Sequence, residues 1–271
     1  MIIQSTFGIK KEPFHSNTPT LLPSQQRIFD AIKSHASYGG FSVILGEPGV
    51  GKSVIKNTIE QLGQSKDYVC ASISRTMHTY GNILTQLADT LGIDDQRFSK
   101  LEKAILEAVF VCQKQRKTLY TIIDEAHLLD MDVMRKLRLL FDKFPKNNNL
   151  VFIAQSELMY RLTLRANTDI KSRITYSVVL NKLTNDDLLD FVRQELESVD
   201  LGLQVFTEPA INTIIRCAEG NLRACKNLVR GSLVNACRET KKQVTITHVN
   251  EVLMQPHWRS HEDIIQNPIS G

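Results

Sequence analysis

Gly46-Glu47-Pro48-Gly49-Val50-Gly51-Lys52-Ser53 decides the reading of this chain. It fits G-x-x-x-x-G-K-[ST], directly after the apolar run Phe41–Leu45 and directly before an amphipathic stretch from Ser53 to Leu62. A chance match in a chain of this length is on the order of one in a hundred, before the flanking strand and helix are counted. Glycines at 49 and 51 let the backbone wrap a pyrophosphate, so that amide N–H groups and the positive end of the following helix face its oxygens. Lys52 can reach β and γ phosphates, and Ser53 offers a hydroxyl to Mg²⁺. The ligand implied is a nucleoside triphosphate with magnesium, held by Gly46 to Ser53.

Outward from this loop, apolar runs alternate with helical periodicity. Strands are expected at Phe41–Leu45, Tyr68–Ile73, Leu119–Ile123, Leu150–Ala154 and Tyr176–Leu180. Helical spacing fills Tyr80–Leu91, Ser99–Gln115 and Met131–Phe141 between them. That rhythm predicts an α/β fold with a parallel sheet and crossover helices. After Leu180 the pattern turns helical, with start signals at Thr184-Asn-Asp-Asp187, at Thr207-Glu-Pro209 and at Thr247. The division expected is 1–180 for a nucleotide-binding domain with an N-terminal arm over 1–20, 181–254 for a small helical domain, and 255–271 for an aperiodic tail holding the only tryptophan, Trp258. This tail is a candidate docking segment for a partner.

Composition agrees with a folded domain. Of 271 residues, 42% are hydrophobic and 23% charged, which excludes a disordered or disulfide-dense chain. No run approaches the roughly 18 apolar residues of a membrane span, and the opening MIIQSTFGIKK lacks a signal-peptide core, so a cytoplasmic location without membrane contact is expected. The cysteines at 70, 112, 217, 225 and 237 form no C-x-x-C pair and are expected as small core residues. A net charge of +4 permits a polyanionic partner without demanding one.

A second acidic site accompanies the phosphate loop. Leu119-Tyr-Thr-Ile-Ile-Asp124-Glu125 is an apolar strand ending in two carboxylates, and ligands of parallel sheets collect at strand carboxyl ends. Asp124 there would hold a magnesium-bound water, and Glu125 would orient and deprotonate the attacking water.

These residues resemble the AAA+ ATPases. Gly46 to Ser53 is similar to their Walker A motif and Thr121 to Glu125 to their Walker B motif, over about residues 20 to 254. The resemblance implies a P-loop NTPase sheet of order 5-1-4-3-2 followed by a small α-helical lid. It also implies four catalytic positions: Glu125, Lys52, Gln155 as the polar sensor after the fourth strand, and Arg173 as an arginine finger reaching into a neighbouring subunit, with Arg161 and Arg165 competing for that last role. Arg223, opening a lid helix, resembles a second sensor for the nucleotide.

Within that family, Phe7-Gly-Ile-Lys-Lys-Glu-Pro13-Phe14 and the segment from Gly39 into the phosphate loop look like the ExeA and TniB group, to which the TnsC, IstB and Mu B transposition helpers are related. Without the membrane span and cell-wall domain of ExeA-type proteins, the resemblance favours a transposition helper. Such a protein is an ATP-dependent regulator that forms rings or helical filaments on duplex DNA, reads no sequence, and recruits a transposase and a targeting subunit. A secretion ATPase acting on protein and a replication-helicase loader are the alternatives. Candidate backbone contacts to DNA are Arg75, Thr76 and His78, and Arg97 with Lys100, where related proteins line a central channel. Further basic clusters are Lys114, Arg116 and Lys117, and Arg135, Lys136 and Arg138. His127, two residues past Glu125, has no role assigned by the pattern.

Overall fold

The computed structural model describes residues 2–14, 21–73, 79–94 and 98–258. They form two compact units, one spanning Thr18–Asn181 and the other combining Met1–Asn17 with Lys182–Gly271.

The first unit is built on five parallel strands: β1 (Gly40–Gly46), β2 (Tyr68–Ile73), β3 (Thr118–Ile123), β4 (Asn148–Ala154) and β5 (Tyr176–Leu180). Their spatial order is β2-β3-β4-β1-β5, the expected 5-1-4-3-2 seen from the other edge. Central strands are buried on both faces, so they appear as continuous apolar runs with alternate residues serving two cores. Val43 and Leu45 of β1 join Phe152 and Ala154 of β4 on one face, against α4 (Tyr80–Leu91), α5 (Phe98–Lys114), α6 (Met131–Phe141), α7 (Glu157–Thr163) and α8 (Thr168–Lys171). Ile44, Val151 and Ile153 point the other way, against Ile32 of α2 (Pro23–Ala36) and Ile55 and Ile59 of α3 (Lys52–Leu62).

In the second unit, α9 (Asn185–Glu197), α10 (Glu208–Ala218), α11 (Leu222–Arg238) and α12 (Ile246–Leu253) surround a core of their own. Thr184 opens α9 with the expected capping box, its hydroxyl accepting the Asp187 amide at 3.1 Å. Helix α12 is capped two residues earlier than the sequence suggests, at Thr245 rather than Thr247, because His248 Nδ1 accepts the Thr245 amide at 2.9 Å.

One expected grouping needs correction. The arm over 1–20 was placed with the nucleotide-binding part, yet its described residues belong to the helical unit. Ile3 in α1 (Ile2–Phe7), Ile9 and Phe14 lie in the helical core. Polar ties fix them there: the Phe14 amide donates to Glu195 at 3.1 Å, Lys226 donates to the Phe14 carbonyl at 2.9 Å, and Arg230 meets Glu12 at 3.0 Å. Burial raises the Glu195 carboxyl above its ordinary range. The physical reason is that apolar residues spaced along a short arm need a partner groove, and periodicity does not say whose. The start of the tail likewise joins this unit, with Trp258 packed beside its core.

Burial pushes the Cys70 thiol up to about 11 and the Cys225 thiol to about 12, in keeping with packing rather than reactivity. No helix among the described residues is long and apolar enough to cross a membrane.

Candidate functional site

β1 ends at Gly46 and the chain turns through Glu47 to Gly51 into α3. Gly49 at φ 86° and Gly51 at φ 106° occupy the left-handed region that a side chain would strain, and so bring successive amides round toward the start of α3. Lys52 is only 8% exposed. Its ammonium donates to the carbonyls of Gly46 at 2.7 Å and Glu47 at 2.8 Å, which holds the loop wrapped. Val50 is buried beneath the loop, while Glu47, Pro48 and Ser53 are exposed, so the Ser53 hydroxyl stands open at the first turn of α3.

At the carboxyl end of β3, two strands away across β4, the Asp124 carboxylate accepts the Glu125 amide at 2.9 Å through Oδ1. Its Oδ2 lies 3.0 Å from the ammonium of Lys56 on α3. Glu125 takes a left-handed conformation, φ 52°, unusual for a residue with a side chain and typical of sites whose surroundings fix the backbone. The surroundings here are identifiable: Arg161 donates to the His127 carbonyl and, at 2.8 Å, to that of Leu129, clamping the turn.

His127 has its place from this turn. The buried ring sits with Nε2 3.5 Å from Glu125 Oε2, and its Nδ1 accepts the Gln155 amide at 3.4 Å. With Nδ1 accepting, the ring proton is on Nε2, facing the carboxylate. Gln155 follows the end of β4, the strand lying between β1 and β3. Lys52, Ser53, Asp124, Glu125 and Gln155 are therefore all delivered by one end of one sheet.

Arg173 is not at that end. It precedes β5, whose Tyr176 pairs with Ser42 near the start of β1 and whose Leu180 pairs with Gly46. The intervening four residues of strand separate Arg173 from the phosphate loop by roughly 13 Å or more, at about 3.3 Å per residue. It is half-exposed and lies 3.4 Å from Asp142, which also holds Arg138 at 3.1 Å. These residues line a cavity of about 310 Å³ with Tyr38, Lys146 and Thr175. Of the two competitors, Arg161 is spent on the turn, whereas Arg165 is exposed.

Arg223 is exposed at the first turn of α11, where the Asn221 side chain accepts the Ala224 amide at 3.1 Å. Lys100 is exposed on α5, while Arg75, Thr76, His78 and Arg97 lie outside the described residues. In the cluster on α6, Arg135 is engaged with Asp132 and Asn167, Arg138 with Asp142, and Lys136 lies over the Tyr80 ring at 5.7 Å. Sequence reasoning missed Lys56 as a member of the site, and offered Arg161 as a competing finger rather than as the clamp of the turn. Only the spacing of Lys56 four residues beyond Lys52 hinted that both share a helix face.

The donor set suits a hard cation. No cluster of three or more His, Cys, Asp or Glu is present among the described residues. One hydroxyl and one carboxylate match Mg²⁺, which keeps waters and takes the rest of its shell from phosphates. The ammonium at Asp124 marks a spot where the fold already accepts positive charge.

Residues 34–162 match the family model of an AAA domain. No curated protein sequence matches the chain. Among solved structures, Cdc6p from Pyrobaculum aerophilum superposes with a TM-score of 0.72 at 18% identity, over 98% of this chain and 74% of that one. The Aeropyrum pernix ORC2 protein, in ADPNP-ADP complexes, gives 0.70 at 14% identity over 91% and 72%. The Aeropyrum pernix ORC1 protein in complex with DNA gives 0.68 at 16% identity over 88% and 67%. At these identities the likeness is one of fold: the chain has the P-loop AAA+ fold.

Proposed function

We propose that this chain is an ATP- and Mg²⁺-dependent AAA+ ATPase whose copies assemble on duplex DNA, read no sequence, and regulate transposition by recruiting a transposase. The observation that supports it most is the arrangement of the first unit. The phosphate loop, Asp124, Glu125 and Gln155 stand at one end of the sheet and Arg173 at the other.

In this reading the amides of Gly49 to Ser53 and the Lys52 ammonium bind the phosphates, and Ser53 and Asp124 hold Mg²⁺. When bound, the ion neutralises phosphate charge. Glu125 orients a water and takes its proton, with His127 limiting where the carboxylate can swing. Gln155 contacts the γ phosphate from β4. Arg173 cannot serve its own loop, so it stabilises the transition-state charge in an adjoining copy. Arg223, at the first turn of α11, is the proposed second sensor for the nucleotide.

DNA binding draws support from the ORC1 protein solved with DNA and from the exposed Lys100. Titration of fluorescent duplexes of unrelated sequence, with and without ATP, tests it. The expected result is ATP-stimulated binding of similar strength for each sequence, falling steeply with salt. Turnover and assembly indifferent to DNA would overturn it and favour a protein-directed ATPase. A helicase-loader role is the second reading, favoured by the fold likeness to Cdc6p and the ORC proteins. ATP-dependent capture of a purified replicative helicase, in place of a transposase, distinguishes it.

A further inference from the structure

We propose that Lys56 sets the Mg²⁺ demand of the nucleotide site, acting as a built-in counter-ion that holds Asp124 until the divalent cation displaces it and then passes to Glu60. The inference rests on reading the site as one for Mg²⁺ and nucleotide, and adds a regulator to it.

Lys56 lies one turn beyond Lys52 on the same face of α3. Its ammonium is 3.0 Å from Asp124 Oδ2 and 3.8 Å from Glu60 Oε1. The Lys56 and Asp124 side chains are 19% and 25% exposed, so the pair is shielded from much of the screening that weakens surface ion pairs. Asp124 Oδ1 accepts the Glu125 amide and Oδ2 is held by Lys56, so a cation drawn to Oδ2 competes directly with the ammonium. A cation at that oxygen places two or more positive charges within a few ångströms of the ammonium. Lys56 must then move, and Glu60, one turn further along the helix and 34% exposed, is the carboxylate within its reach.

Two carboxylates sharing one lysine make a prediction of sign. Removing the lysine eases entry of Mg²⁺, whereas removing the receiving carboxylate hinders it. Plain loss of one charge gives the same two signs, so the double variant decides. In the Lys56→Met background Glu60→Gln should change the Mg²⁺ midpoint no further if Glu60 acts only by receiving the lysine, and an undiminished rise of about threefold there overturns the hand-off.

The test uses the 271-residue chain and a fluorescent, non-hydrolysable ATP analogue, with Mg²⁺ titrated from an EDTA baseline. Thermal melts of each variant accompany the titration. Lys56→Met is expected to lower the Mg²⁺ concentration at the binding midpoint about tenfold, as loss of a shielded competitor requires. Glu60→Gln should raise it about threefold, and Lys56→Arg should leave it within about twofold, since charge and reach are kept. A Lys56→Met midpoint equal to or above that of the unaltered chain, with nucleotide still bound, overturns this proposal alone. Absence of nucleotide binding by the unaltered chain at any Mg²⁺ concentration overturns the site reading and this inference together.

Discussion

The two ends of the central sheet differ in chemistry although the same strands build both. At the carboxyl ends, amides, Lys52 and two carboxylates are held by short internal bonds within turns whose backbone is left-handed at Gly51 and Glu125. At the amino ends, Arg138 and Arg173 share Asp142 around an open cavity, and Arg173 is half-exposed. One end is wrapped and prepared for phosphate; the other presents a cation outward. A parallel sheet makes this asymmetry cheap, because all strand starts fall on one side and all strand ends on the other. In the proposed reading, one copy carries both halves of a site that it cannot close alone.

The sharpest way to break this comparison is to remove the wrapped cation. Lys52→Ala should lower nucleotide affinity by about a thousandfold or more, measured by calorimetry, since a charge-assisted anchor and the loop's own clasp go together. Next come two variants from opposite ends. Glu125→Gln and Arg173→Ala should each cut phosphate release by about a hundred- to a thousandfold while ATP still binds. Mixing the two should restore part of the turnover, because some junctions would then join an intact Glu125 to an intact Arg173. Failure of the mixture to recover would show that the ends do not complement one another between copies.

A smaller effect is expected where the ends are not distinguished. Phe152 lies within β4, edge-on to Phe41 at 4.8 Å between ring centres. Phe152→Ala should cost about 3–5 kcal/mol in denaturant unfolding and loosen both ends alike. Smallest is Asp142→Ala: its arginine partners are only partly shielded, so stability should change by about 1 kcal/mol or less. That variant sharpens the comparison, because it frees Arg173 without touching the phosphate loop.

Much of this was legible because local pattern carried it. The strands at Tyr68–Ile73 and Tyr176–Leu180 and the helices at Tyr80–Leu91 and Met131–Phe141 agree to the residue with their periodicity. Gly46 to Ser53 announced its turn because glycine spacing and the following helix are contiguous in the chain. What failed to show is what depends on distant segments meeting. Arg161 looked like a candidate to reach outward, yet its guanidinium faces two carbonyls more than 30 positions earlier. Lys56 joins the site only because the end of β3 brings Asp124 beside it, a meeting of segments 68 residues apart. The arm could not be assigned because Ile3, Ile9 and Phe14 find their groove some 180 residues downstream, as the bond from Phe14 to Glu195 records.

That last attachment bears on how the chain is made. During synthesis the arm emerges ahead of the sheet, but the helices that cover its isoleucines are translated only after the whole sheet, on the order of ten seconds later at ribosomal speed. The sheet can thus close on its own while the first segment waits uncovered. Completion of the helical unit therefore waits until the segments on both sides of the sheet have been made.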